Sequence, residues 1–208
     1  LSAGFFNGDV NEVGEDGIHD FVAALNVKPS DNLSFGVSWI SDLADSDAEI
    51  TVAHREALIE LAGGEGLALP APLTGLSPTE TGEVVDTVSG ISAYVSLTGG
   101  AFTLDAEYLG ATDNFDAADY DGDLDGTGDE PEAFNVELAY AASETLELAV
   151  RYEGNDDLFD LPEKQYGIAA SYALFDNVSL AVEYLEGEYD NATDDKRKSA
   201  TAQIAIEF

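Results

Sequence analysis

The stretch AFNVELAYAASETLELAVRYE, residues 133–153, decides the fold. Phe134, Val136, Leu138 and Tyr140 alternate with Asn135, Glu137 and Ala139. Leu146, Leu148, Val150 and Tyr152 then alternate with Glu147, Ala149, Arg151 and Glu153. Successive side chains of an extended backbone point to opposite faces, so each half reads as a strand with one apolar and one polar face. The link at 142–144 is long enough only for a tight turn between antiparallel neighbours.

The same period recurs on either side. Segment 33–43 alternates through Leu33, Phe35, Val37, Trp39 and Leu43, and segment 101–110 through Phe102, Leu104, Ala106 and Tyr108. Later segments carry Tyr166, Ile168, Ala170, Tyr172 and Leu174, then Val178, Leu180, Val182 and Tyr184, then Ala200, Ala202, Ile204, Ile206 and Phe208. Segments 18–28 and 87–97 fit more weakly. Short connections at 29–32, 98–100, 142–144 and 175–177 take turns with long ones at 7–17, 42–86, 112–131, 154–163 and 187–197. Short turns at one end and long loops at the other are the pattern of an all-β, up-and-down antiparallel transmembrane β-barrel of the outer membrane, with the long loops extracellular. We therefore expect a single barrel domain over 1–208. About ten strands are visible. The first, at 1–7, reads as clipped, and the expected whole is a larger barrel of about 14–18 strands.

Strand directions sort the aromatic residues. Trp39, Tyr108, Phe134, Tyr152, Tyr166 and Tyr184 fall near the loop end of the apolar face, and Phe35, Phe102, Tyr140, Tyr172 and Phe208 near the turn end. Two belts of amphipathic rings are what two membrane–water interfaces select.

Composition narrows the function. Seven Lys and Arg against 43 Asp and Glu give a formal net charge of −36, the wrong sign for a nucleic-acid footprint or for docking onto anionic lipid through a basic patch. A 45% hydrophobic content is too high for a disordered acidic tail. The absence of cysteine excludes disulfides and thiolate sites. No apolar run reaches the length of a membrane-spanning helix. No nucleophile–base pairing or phosphate loop stands out, His19 and His54 are isolated, and no enzyme activity is expected.

On the polar face lie Asp105, Glu107, Glu137, Glu147, Glu153 and Glu183, with Arg151 as the one base well inside a strand. In a barrel this face lines the interior, so these seven are the candidate pore-lining residues of a cation-favouring lumen. The alternative is that Arg151 merely ties glutamates together in a hydrated wall. A second candidate is DGDLDGTGDEPE at 121–132, which fits the spacing of a calcium loop. Asp121, Asp123, Asp125, Thr127, Asp129 and Glu132 would supply the oxygens, with Gly126 at the sharp turn. An Asp/Gly-rich solvated loop would read the same way. No cofactor is required; calcium would act there as a clamp on the rim. Loop 42–86 holds a short amphipathic stretch at 54–62, which suits either an inward constriction or an outer cap.

The chain resembles the carboxyl-terminal part of the legiobactin-receptor-like (LbtU-type) siderophore porins. The matching stretches include AGFFNGDV at 3–10, DNLSFGVSWISDLADSD at 31–47, GAFTLDAEYLGATDNFDAAD at 100–119, EPEAFNVELAYA at 130–141, LPEKQYGIAASYALFDNVSLAVEYL at 161–185 and TAQIAIEF at 201–208. The resemblance implies an outer-membrane barrel that passes ferric siderophores without a plug domain. The expected partners are outer-membrane lipid and lipopolysaccharide and a small-molecule cargo. A homo-oligomer, or a partner protein threading the lumen, stays open. The competing reading is a structural or adhesive surface barrel whose acidic loops bind calcium.

Overall fold

The alternating segments fold as ten strands: β1 (Ser2–Phe6), β2 (Asp20–Ser30), β3 (Leu33–Ile40), β4 (Gly90–Gly99), β5 (Phe102–Ala111), β6 (Glu132–Ala141), β7 (Leu146–Asp156), β8 (Lys164–Phe175), β9 (Val178–Tyr189) and β10 (Asp195–Ile206). The structure is a computed structural model that describes residues 1–6, 20–43, 87–116, 120, 127–158, 161–189 and 195–206. The strands form one sheet in chain order, each antiparallel to the next. Tight turns join β2 to β3, β4 to β5, β6 to β7 and β8 to β9, all at one end. In the β4–β5 turn, Gly100 takes φ = +62°, a left-handed conformation that costs glycine nothing.

Strand boundaries at the loop end differ from the sequence expectation. Residues 154–156 belong to β7, 187–189 to β9 and 195–197 to β10, so the loops expected over 154–163 and 187–197 are shorter. The apolar–polar contrast fades there because the outward positions turn ionic. Lys164, Glu188 and Lys196 lie opposite one another across β8, β9 and β10. One step lower, Lys198 Nζ sits 3.2 Å from Glu186 Oε1.

Exposure tells the two faces apart. On the apolar face Val150 is 53% exposed and Ile168 60%. On the polar face the side chains of Arg151 and Glu153 retain only 26% and 27%. The sheet therefore curves with its polar face inside and its apolar face out. Buried apolar residues are few, and those that cluster (Val88, Ala111, Phe115 and Tyr120, with Leu43 against them) sit at the loop end, where connections pack on the rim.

Register also accounts for the loop-end belt; Phe208 of the turn-end belt lies outside the described residues. Trp39 on β3 lies one outward position above the row of Tyr108 and Phe134 on β5 and β6. That row lies one position above Tyr152 and Tyr166 on β7 and β8, and Tyr184 on β9 is one lower again. The staircase falls by about one residue per strand, roughly 3.3 Å along the chain for every 4.8 Å across the sheet, so strands tilted by about 35° bring all six rings to one level. Neighbouring rings touch: Tyr152 and Tyr166 stack with centroids 4.9 Å apart, and Phe134 lies 5.4 Å from Tyr152. The Tyr108 hydroxyl donates upward to Glu132 Oε2 at 2.7 Å, keeping its polar tip above the apolar band.

The two faces should respond differently to charge. Val150→Lys, on the convex face, is expected to cost about 2–4 kcal/mol of folding stability in lipid vesicles. Glu147→Lys, exposed on the concave face, should cost much less. Urea unfolding from vesicles, followed through the single tryptophan, Trp39, measures both; equal costs would mean that the convex face does not meet hydrocarbon.

Candidate functional site: the concave face

The polar positions of the strands assemble into rows across the inner wall. One row runs Ser34, Ser96, Asp105, Glu137, Arg151, Gly167 and Leu185 from β3 to β9. The next row toward the loops runs Gly36, Tyr94, Glu107, Asn135, Glu153, Gln165 and Gly187. Glu183 lies one row toward the turns, opposite Ala169, and Glu147 lower still, between Ala141 and Ser171. All seven residues expected on the polar face are therefore on one face, the concave one.

Arg151 gathers two of the acids. Its Nε lies 3.2 Å from Glu153 Oε2 and its Nη2 3.3 Å from Glu183 Oε1. The first contact is a charge contact only, since no acceptor lies along that N–H. Reaching Glu183 means crossing β8, and Gly167 leaves the path clear: a Cβ there would meet Leu185 Cδ2 at 2.8 Å and Arg151 Cβ at 3.4 Å. Asp105, Glu107, Glu137 and Glu147 have no ion pair among the described residues, and Asp105 and Glu137 stand directly opposite each other as like charges.

Several features were not read from the sequence. The β3–β4 part of the wall is a hydroxyl surface. There Ser38 and Ser92 share a hydrogen bond of 2.8 Å, and at the β4–β5 seam Thr98 and Thr103 share one of 3.3 Å. The wall thus has a neutral side and a charged side, a division visible only once register places Ser34, Ser38, Ser92 and Ser96 together. Tyr94 also lies on this face, its ring lying over Gly36, where a Cβ would come within 2.5 Å of Cε1. The β7–β8 connection folds back onto the wall: Asn155 Nδ2 donates to the Pro162 carbonyl at 2.5 Å, and the Leu158 amide donates to Asn155 Oδ1 at 3.2 Å.

Of the expected calcium ligands, Asp121, Asp123 and Asp125 lie outside the described residues. Thr127 is exposed. Asp129 is buried at the rim, its carbonyl accepting from the Phe115 amide at 2.9 Å. Glu132 stands on the apolar-face side of β6, where Tyr108 donates to it. Among the described residues no group of three or more acids or histidines is placed to hold a metal ion. The stretch at 54–62, with His54, and His19 also lie outside the described residues.

Gly167→Val should push Arg151 off Glu183. In a double-mutant cycle with Arg151→Ala, measured by urea unfolding from vesicles, a coupling of about 0.5–3 kcal/mol is expected. Additive costs would show that Gly167 serves Leu185 alone.

Comparison with known proteins agrees at the level of the family. A family model described as Gram-negative porin matches residues 23–205. Among solved structures, the NanC porin in a rhombohedral crystal form is 10% identical, with a TM-score of 0.48, over 91% of this chain and 79% of that one. A triple mutant of the Rh. blastica porin is 10% identical, with a TM-score of 0.42, over 91% of this chain and 55% of that one. No curated protein matches the chain. The family match reaches the porins and not the narrower LbtU-type grouping. Ten up-and-down strands under a family match that spans most of the sequence make the chain a member of the Gram-negative porin family of the outer membrane.

Proposed function

We propose that the chain forms wall of an aqueous pore that passes small hydrated solutes and favours cations. The observation that carries this reading is the set of four concave-face carboxylates, Asp105, Glu107, Glu137 and Glu147, without an ion pair among the described residues. A water-filled passage between low-dielectric walls focuses their field, raising the local concentration of cations and lowering that of anions. Arg151 offsets this only at Glu153 and Glu183, its two partners.

Siderophore cargo is supported by the resemblance to the LbtU-type porins, and the charge of the wall sharpens it. A trianionic ferric catecholate would meet repulsion along this face, whereas a cationic ferric hydroxamate would be drawn in. Proteoliposomes carrying the full-length protein should therefore take up the cationic complex faster, and equal rates would remove charge as a selector.

Ion selectivity tests the pore itself. In planar bilayers under a potassium chloride gradient, the reversal potential should lie toward the potassium equilibrium value. Replacing the four acids by amides (Asp105→Asn, Glu107→Gln, Glu137→Gln, Glu147→Gln) should move it toward zero. The difference should shrink in concentrated salt, because screening acts over only about 10 Å at 0.1 M and about 3 Å at 1 M. A closed barrel, or an open one indifferent to cations, would overturn the proposal.

A further inference from the structure

Glu107, Asn135 and Glu153 stand side by side on β5, β6 and β7, just beneath the folded-back β7–β8 connection. Between them and that connection the wall has a recess of about 250 Å³, lined by these three residues and by Leu109, Leu161 and Pro162. We propose that this recess binds small amphipathic organic ammonium ions as they pass. The proposal rests on the pore reading above and names the solute class that the pore would retain.

Two properties of the recess point to that chemistry. The first is an excess of acceptors: among the described residues Glu107 has no ion pair and Asn135 Oδ1 no hydrogen-bond partner. Arg151 contacts Glu153 from the far side of the row. An ammonium group brings the missing positive charge and N–H donors. A bare metal ion fits poorly. The two carboxylates are anchored two strands apart, about 10 Å of sheet, whereas hard cations need several oxygens converging within about 2.6 Å.

The second property is apolar surface where the wall should be polar. Leu109 occupies an inward position of β5, opposite Ser92 and Ala133, and is 49% exposed. Leu161, from the β7–β8 connection, is 51% exposed and lines the same recess. Single exposed leucines are ordinary on a protein surface. Here two from separate elements, with Pro162, border one recess beside a charged row. That arrangement matches a solute with a cationic head and a short hydrocarbon body, held by its charge at Glu107 and by its body at the leucines.

Block of the full-length channel in planar bilayers tests this, using n-alkylammonium ions from methyl to hexyl added to potassium chloride. Apparent affinity for block should rise by about three- to fourfold per methylene until the recess is filled. Glu107→Gln should weaken every member of the series alike, by about tenfold. Leu109→Asn should flatten the dependence on chain length, and Leu161→Ser should do so without altering a strand. Glu144→Gln, in the turn at the opposite end of the sheet, should change neither. An open channel that no alkylammonium blocks, or a length dependence that survives both leucine substitutions, would overturn the site while leaving the pore reading intact. A protein that conducts no ions would overturn both.

Discussion

Backbone hydrogen bonding is the constraint on which the rest of this structure depends. Hydrocarbon offers no partner to an amide or a carbonyl, so a chain that meets it must satisfy those groups within itself. An antiparallel ladder does so and leaves only the side chains to choose between two solvents. Along β6 the choice is made at every residue: Phe134, Val136, Leu138 and Tyr140 are exposed outward, and Asn135 and Glu137 are half-buried inward. A shift of register by one residue against β7 would present Arg151 and Glu153 to the outside together. The alternation therefore does more than mark a strand; it selects the one register that the surroundings tolerate.

Tilt follows from the same ladder. Rings that must lie at one interface sit on rows that slant across the sheet, and they descend from Trp39 to Tyr184 at the rate that a tilted barrel wall requires. Above that line the outward face changes chemistry within one row. On β9 Tyr184 is followed by Glu186, which has Tyr166 on one side and Lys198 on the other; the next row is Lys164, Glu188 and Lys196. Three of the seven bases in a chain of net charge −36 stand in this region, the lysines beside glutamates; a fourth, Arg197, lies opposite Gly187 on the concave face, against the Tyr189 ring. Exposed pairs of this kind contribute little to stability. Their significance is positional: they stand where the outward face meets water and headgroups rather than acyl chains.

This transition also explains what could be read from the sequence and what could not. The strands were legible wherever the two faces meet solvents of opposite kind, as through Phe102 to Tyr108 or Leu146 to Tyr152, and the tight turns followed. The strand ends at 154–156, 187–189 and 195–197 were not, because both faces there are polar and period two leaves no trace in composition. The concave-face acids could be named, since each occupies a polar position of a clear strand. Their company could not. Arg151 and Glu183 are 32 positions apart, and their meeting depends on Gly167, a residue whose contribution is the absence of a side chain. Leu109 sits on the polar face of a clear strand, and only the β7–β8 connection, which brings Leu161 to the same recess, gives it company there.

Arg151 separates two uses of a carboxylate. Its contacts with Glu153 and Glu183 join residues that stay partly wet, about a quarter to a third exposed, and partly exposed pairs typically contribute about 0–1 kcal/mol. Stability alone is a weak reason for an arginine among so many acids. Its effect on the field is larger in consequence. By drawing two carboxylates onto the wall between β7 and β9, it leaves Asp105, Glu107, Glu137 and Glu147 as the concave-face acids without an ion pair among the described residues, the first two directly beside Ser96 and Tyr94 of the β3–β4 side. In the proposed pore a cation near this wall would meet attraction on one flank and neutral hydrogen-bonding groups on the other, an asymmetry that would orient a polar molecule as well as concentrate it.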